Sequence, residues 1–201
     1  MMSYPMVDRL PRAAQRMVTH EVLRFAALLA FAAFLLDWST KSWALRHVGQ
    51  SATSLGALTL GVARNDGFAF STGAGLLPAW AIVGIRAAVL AAVILLALRV
   101  ATISYRYACG FALLLAGGLG NAVDLIFRNG AVVDFIGAGP LHFPLGGELH
   151  HVHFVFNIAD VFIIFGIVLI APLIRRIGLG TQRRLAAWED RLLHGDQAVS
   201  R

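Results

Sequence analysis

Four stretches of predominantly apolar residues, at 22–44, 78–100, 105–127 and 154–174, are each long enough to cross a hydrocarbon core as a helix of about 20 residues. In lipid every backbone N–H and C=O must be satisfied within the protein, so such stretches are restricted to helices. Composition agrees: 58% of residues are hydrophobic and 14% charged, against about a quarter charged in a soluble domain. Trp80, Tyr105 and Tyr107 stand where an interfacial aromatic belt would sit. The formal net charge of +6 comes from arginines and a single lysine, Lys41. Arginines gather at Arg9, Arg12 and Arg16, at Arg99 and Arg106, and at Arg175, Arg176, Arg183 and Arg184. They flank apolar spans and form no stripe interleaved with aromatics, which argues against nucleic acid as a partner. The positive-inside rule instead places both termini and the link between the second and third spans in the cytoplasm.

The basic N-terminus followed by an apolar run is like a secretion signal, but the run meets Asp37 and Lys41 without a small-residue cleavage site, so a retained first helix is expected. Cys109 is the sole cysteine, and no Cys/His spacing suggests a zinc site. Two loops face outward. The first, 46–77, alternates Leu58, Leu60 and Val62 between Ser, Thr and Gly, which predicts a small extracytoplasmic β-sheet. The second, 129–153, carries Pro140, Pro144, several glycines and the histidines His142, His150, His151 and His153. In the tail, 177–201, Leu185, Trp188 and Leu192 recur at helical spacing among arginines, predicting a cytoplasmic amphipathic helix. The whole chain, 1–201, reads as a single integral-membrane domain, α-helical with four transmembrane helices.

An ionisable group inside such a span costs about 2.5–3.5 kcal/mol on insertion scales, so each one needs a partner or a task. Asp37 and Lys41 are four apart, acid first, the favourable order for an ion pair on one helix face. They are either a structural pair reaching toward the interface or support for a site. The third span ends in Gly117, Gly118, Gly120, Asn121 and Asp124, and the fourth carries Asn157 and Asp160. Each helix therefore presents an amide and a carboxyl three residues apart on one face, and the glycines would let another backbone approach closely. Periodicity alone makes Asp124 and Asp160 the natural partners. Asp134, a lone acid in the apolar strip Val132–Ile136, reads either as a cap or turn acid or as a partner for Asp160, since one follows a helix reaching the outer face and the other opens a helix returning from it. Two carboxyls in contact at low dielectric cannot both ionise and so share a proton, one acting as base and the other as acid.

At these residues the chain resembles signal peptidase II, the lipoprotein signal peptidase family of bacterial inner-membrane aspartyl peptidases. The carriers are LDWSTK with Asp37 and Lys41, NDGFAF with Asn65 and Gly67, GGLGNAVD with Asn121 and Asp124, VVDFI with Asp134, and FNIAD with Asn157 and Asp160. The resemblance implies that Asp134 and Asp160 are catalytic, with Asn65, Asn121 and Asn157 lining the site. It implies a substrate, the signal peptide of a diacylglyceryl-modified prolipoprotein cut N-terminal to the lipidated cysteine, and inhibition by globomycin. A monomer in contact with membrane lipids, using no metal and no cofactor, with its site near the periplasmic face, completes the expectation.

Three features depart from the family pattern. Leu125 occupies the place of a usual arginine, the stretch from Asn121 to Asp134 is about one residue longer, and the second loop is rich in histidine. Arg128, four residues after Asp124, is positioned to supply the missing charge from the next turn. Two other functions compete: an altered paralogue that binds lipidated peptides without cutting them, and a proton-coupled carrier using Asp37, Asp124 and Asp160 as a relay. Four spans without an inverted repeat argue against the carrier.

Overall fold

Four long helices and one antiparallel sheet follow each other in the order α1 (Arg12–His47), β1 (Thr53–Leu55), β2 (Leu58–Asn65), α2 (Ala79–Val100), α3 (Tyr105–Phe127), β3 (Val132–Leu145), β4 (Glu148–Phe156) and α4 (Ile158–His194). The structure, a computed structural model, describes residues 12–48, 53–65, 78–100, 104–145 and 148–194. The segments Thr19–His47, Trp80–Leu98, Tyr105–Phe127 and Ile158–Arg183 are long and apolar enough to cross a membrane. Large apolar side chains on their outward faces, among them Leu28, Phe31, Leu95, Leu98 and Phe165, are exposed. A contiguous exposed apolar belt of this kind is stable against acyl chains and not against water.

α3 is the most enclosed of the four spans. Ser104 caps its start, the hydroxyl accepting from the Tyr107 backbone N–H at 3.3 Å. Tyr107, Phe111 and Leu114 pack with Ala97 of α2 and with Ile170 and Leu173 of α4. Small residues let α3 and α4 meet closely: a Cβ on Gly110 or on Gly166 would strike the other helix, and one on Gly117 would strike the Ala159 carbonyl.

The sheet has the order β1-β2-β3-β4 and lies at the end of the bundle where α1 and α3 finish and α2 and α4 begin. Its first two strands come from the first loop, as the alternating Leu58, Leu60 and Val62 indicate, with Gly56 turning the chain at φ 72°. It is larger than the sequence suggests. The second loop is a hairpin in which β3 pairs with both β2 and β4, His142 facing His151 and Phe143 facing His150 in register. Consequently residues 154–156, expected at the head of the fourth span, belong to β4, and the helix starts at Ile158. The tail is helical to His194 as an unbroken continuation of α4.

Candidate active site

Asp134 lies on β3 and not in a cap or turn, and two local features aim it. The end of α3 reverses through Asn129 and Gly130, both in the left-handed region at φ 57° and 78°, after Arg128 N–H has bonded the Asp124 carbonyl at 2.8 Å. The Asp124 carboxylate then accepts from the Val133 N–H at 3.1 Å, tying the new strand to the helix it left. Opposite, β2 bulges: Leu60 pairs with Ile136 and Ala63 with Asp134, so Gly61 and Val62 face Phe135 alone. The extra residue sets the phase of β2 beyond it. Ala63 stands against Asp134 and Asn65 against Val132, which makes Asn65 and Asp134 diagonal neighbours on one face. Asn65 Nδ2 donates to Asp134 Oδ2 at 3.0 Å.

Asn157 and Asp160 arise from the start of α4. Asn157 is the N-cap: its Oδ1 accepts from the Asp160 N–H, and Asp160 Oδ2 accepts from the Asn157 N–H, both at 3.1 Å. The reciprocal pair satisfies two helix-end donors and fixes the carboxylate in the first turn, where the helix dipole favours an acid. The Asn157 amide is left to reach outward. Its Nδ2 donates to Asp134 Oδ1 at 2.7 Å and to Asn121 Oδ1 at 3.2 Å. Asn121 in turn donates from Nδ2 to Asp160 Oδ1 at 3.1 Å. One buried amide thus links Asp134 on the sheet to Asp160 on the helix.

A second layer holds this arrangement. Lys41 is wholly enclosed, its Nζ lying 2.8 Å from Asp37 Oδ2, 3.0 Å from Asp124 Oδ2 and 2.8 Å from Asn121 Oδ1. Asp37 Oδ1 accepts from the Ala159 N–H at 2.9 Å, a further orphan donor of the α4 start. Gly120 passes against that carboxylate where a Cβ could not fit. Arg128 Nη1 is 3.2 Å from Asp124 Oδ1, its Nη2 donates to Ser42 Oγ at 3.0 Å, and its guanidinium carbon lies 4.4 Å from the centre of the Trp38 ring. Arg128 thus meets the charge on Asp124 from one turn beyond Leu125.

Burial pushes the Asp134 carboxyl up to about 6. The charge of Asp160 adds in the same direction, while the Asn65 and Asn157 amides and the Lys41 cation oppose it. Of the residues singled out in the sequence, Asn65, Asn121, Asn157, Asp134 and Asp160 form one hydrogen-bonded set, and Asp37, Lys41, Asp124 and Arg128 form the layer behind it. Gly67 and its neighbours in NDGFAF after Asn65 lie outside the described residues. Among the described residues no group of three His, Cys, Asp or Glu side chains is placed to hold a metal ion. Trp38 and Ser42, the partners of Arg128, carry no signal in the sequence. Arg86 does carry one, as an arginine inside an apolar span.

This architecture is that of a polytopic bacterial membrane enzyme. It is similar to a bacterial membrane enzyme structure obtained by the in meso method at 2.3 Å, with a TM-score of 0.58 and 25% identity over 75% of this chain and 88% of that one. It shares the fold of another at 1.9 Å, with a TM-score of 0.60 and 23% identity over 75% and 92%. Residues 29–175 match the family described as signal peptidase (SPase) II. The lipoprotein signal peptidase of Bifidobacterium adolescentis is 34% identical over 157 residues, 74% of each chain. That of Leifsonia xyli subsp. xyli is 36% identical over 167 residues, 79% of this chain and 70% of the relative. The chain belongs to the signal peptidase II family: it is a peptidase and a multi-pass bacterial membrane protein.

Proposed function

We propose that this peptidase removes signal peptides from diacylglyceryl-modified prolipoproteins by an aspartyl mechanism, with Asp134 and Asp160 as the catalytic pair. The observation that carries the reading is Asn157, whose amide bonds one carboxyl while its backbone N–H bonds the other. The aspartyl mechanism requires one proton on the pair. The ionised member takes a proton from water as its oxygen attacks the scissile carbonyl, and the protonated member gives its proton to the carbonyl oxygen. The tetrahedral intermediate then collapses: the carboxyl that took the water proton gives it to the leaving nitrogen of the lipidated cysteine, and the other carboxylate regains a proton from a hydroxyl of the intermediate, which restores the singly protonated pair. Asn65, Asn121 and Asn157 hold the carboxyls and leave this chemistry to them, and the set is complete within one chain, so a monomer suffices.

The arginine-flanked spans support cytoplasmic termini, and the sheet end then faces the periplasm. A lipidated peptide could present its cleavage site there while its acyl chains stay in the bilayer. The carrier alternative finds no support, since Asp37, Asp124, Asp134 and Asp160 converge at one end of the bundle and do not run through it. The test incubates purified protein in lipid with a diacylglyceryl-modified prolipoprotein and reads the products by mass. A mature protein beginning at the lipidated cysteine, and blocked by globomycin, is the expected result. An intact substrate, or cleavage at another bond, would refute the proposal.

A further inference from the structure

Arg86 is the one charged residue between Trp80 and Leu98, the span with the highest mean hydropathy, 2.6. Such a residue is expensive and calls for a task. It stands on the inner face of α2, in line with buried Ile82, four residues before, and with Leu90, four after. Leu90 lies against Gly118 of α3, 3.0 Å from where a Cβ would be. α2 runs away from the sheet end and α3 toward it, so one turn from Leu90 brings Arg86 to the level of Asn121, the residue that bonds Asp160. The carboxyls whose charge acts on its half-buried guanidinium are Asp134 and Asp160.

The charge balance gives this placement a meaning. Among the described buried and half-buried groups at this end of the bundle, four carboxyls, Asp37, Asp124, Asp134 and Asp160, meet three cations, Lys41, Arg128 and Arg86. Lys41 is shared between Asp37 and Asp124, and Arg128 is committed to Asp124 and Ser42. Exposed Arg64, on β2, donates to the Arg128 carbonyl at 2.9 Å. With a single proton on the pair the cluster is neutral, whereas without Arg86 neutrality requires a second proton, which would leave no base.

We propose that Arg86 is a positioning residue for the aspartate pair: its cation, delivered from the second span, holds Asp134 and Asp160 in the singly protonated state that general acid and base catalysis requires. This rests on the reading of the pair as catalytic, but the effect on its protonation can be measured without turnover. The experiment is an infrared titration of the protonated carboxyl band in the full-length protein in lipid, the band being assigned by its loss in Asp134→Asn and Asp160→Asn. Arg86→Gln and Arg86→Met remove a costly charge from a span and so should insert. Both should move the midpoint up by about one pH unit, with the rising limb of the cleavage profile following it, while Arg86→Lys stays near the unmodified value. An unmoved midpoint in the neutral variants overturns the proposal. So does an equal shift in Arg86→Lys, or failure of both neutral variants to fold, which would make Arg86 part of the scaffold. If Asp134→Asn and Asp160→Asn still cleave, the catalytic reading falls and the titration still decides whether Arg86 governs the pair's proton.

Discussion

Asn157 joins the two candidate carboxyls at the start of α4. It caps α4, bonds Asp134 and bonds Asn121. Asn157→Ala removes all three roles. It should lower stability by about 1–2 kcal/mol, the usual cost of a lost N-cap, and reduce the cleavage rate more than a cap alone explains, because Asp134 loses its link to the helix. Detergent-denaturation and initial-rate measurements separate the two effects. Asp134 gives a prediction in pH. Its folded value, about 6, lies above the ordinary 3.8, so the folded state keeps the proton longer than the unfolded chain does. Stability from this group is therefore fully present below pH 3.8, declines as pH rises toward 6 and then levels, a change of about 2–3 kcal/mol at most. Unfolding measured between pH 4 and 7 should show that decline, and Asp134→Asn should flatten it. At this scale the Asn-x-x-Asp steps were legible as pairs of amide and carboxyl, although Asn157 is the N-cap of α4 and not a residue on its face. Asp134 by itself was not, since its meaning depends on a strand partner far away in sequence. Nor was Arg86, because an arginine within a span does not declare in sequence which carboxyls it faces.

Among the elements, the β2 bulge and the α3 glycines do the positioning. The side-chain period of a strand is two, so one residue added beyond the bulge turns everything after it to the other face. Insertion of one alanine between Ala63 and Arg64 should leave the helices intact by circular dichroism yet abolish cleavage, because Asn65 would turn to the face away from Asp134. Gly117→Val places a branched side chain against the Ala159 carbonyl. It should cost about 1–3 kcal/mol and displace the start of α4, lowering the rate as well as the melting temperature. The third span was readable to the residue, 105–127 against Tyr105–Phe127, because a long apolar run between polar flanks has one solution in lipid. The second loop was not. Phe154, Val155 and Phe156 continue the apolar run of α4, and a short apolar stretch does not declare whether it is helix or strand; pairing of Phe156 with Ile136 on β3 decided it.

Across the whole molecule, the sheet and the bundle meet through charges that neither could bury alone. Lys41 joins α1 to α3, Asp37 joins α1 to α4, and Asp124 joins α3 to β3. Lys41→Met leaves Asp37 and Asp124 enclosed without their shared cation and should destabilise the protein by about 3–5 kcal/mol, as for other broken buried ion pairs. Sequence composition and the length of the apolar runs were enough to read the bundle, and the order of motifs was enough to read the family. The interlock between sheet and bundle was not accessible that way, because it depends on distances. The central claim is that Asp134 and Asp160 act as one catalytic unit, and initial cleavage rates of Asp134→Asn, Asp160→Asn and the double variant on a diacylglyceryl-modified prolipoprotein test it most directly. Each single change should reduce the rate by about a thousandfold or more, and the double change should be no worse than either alone; a folded single variant that cleaves at close to the unmodified rate would contradict it.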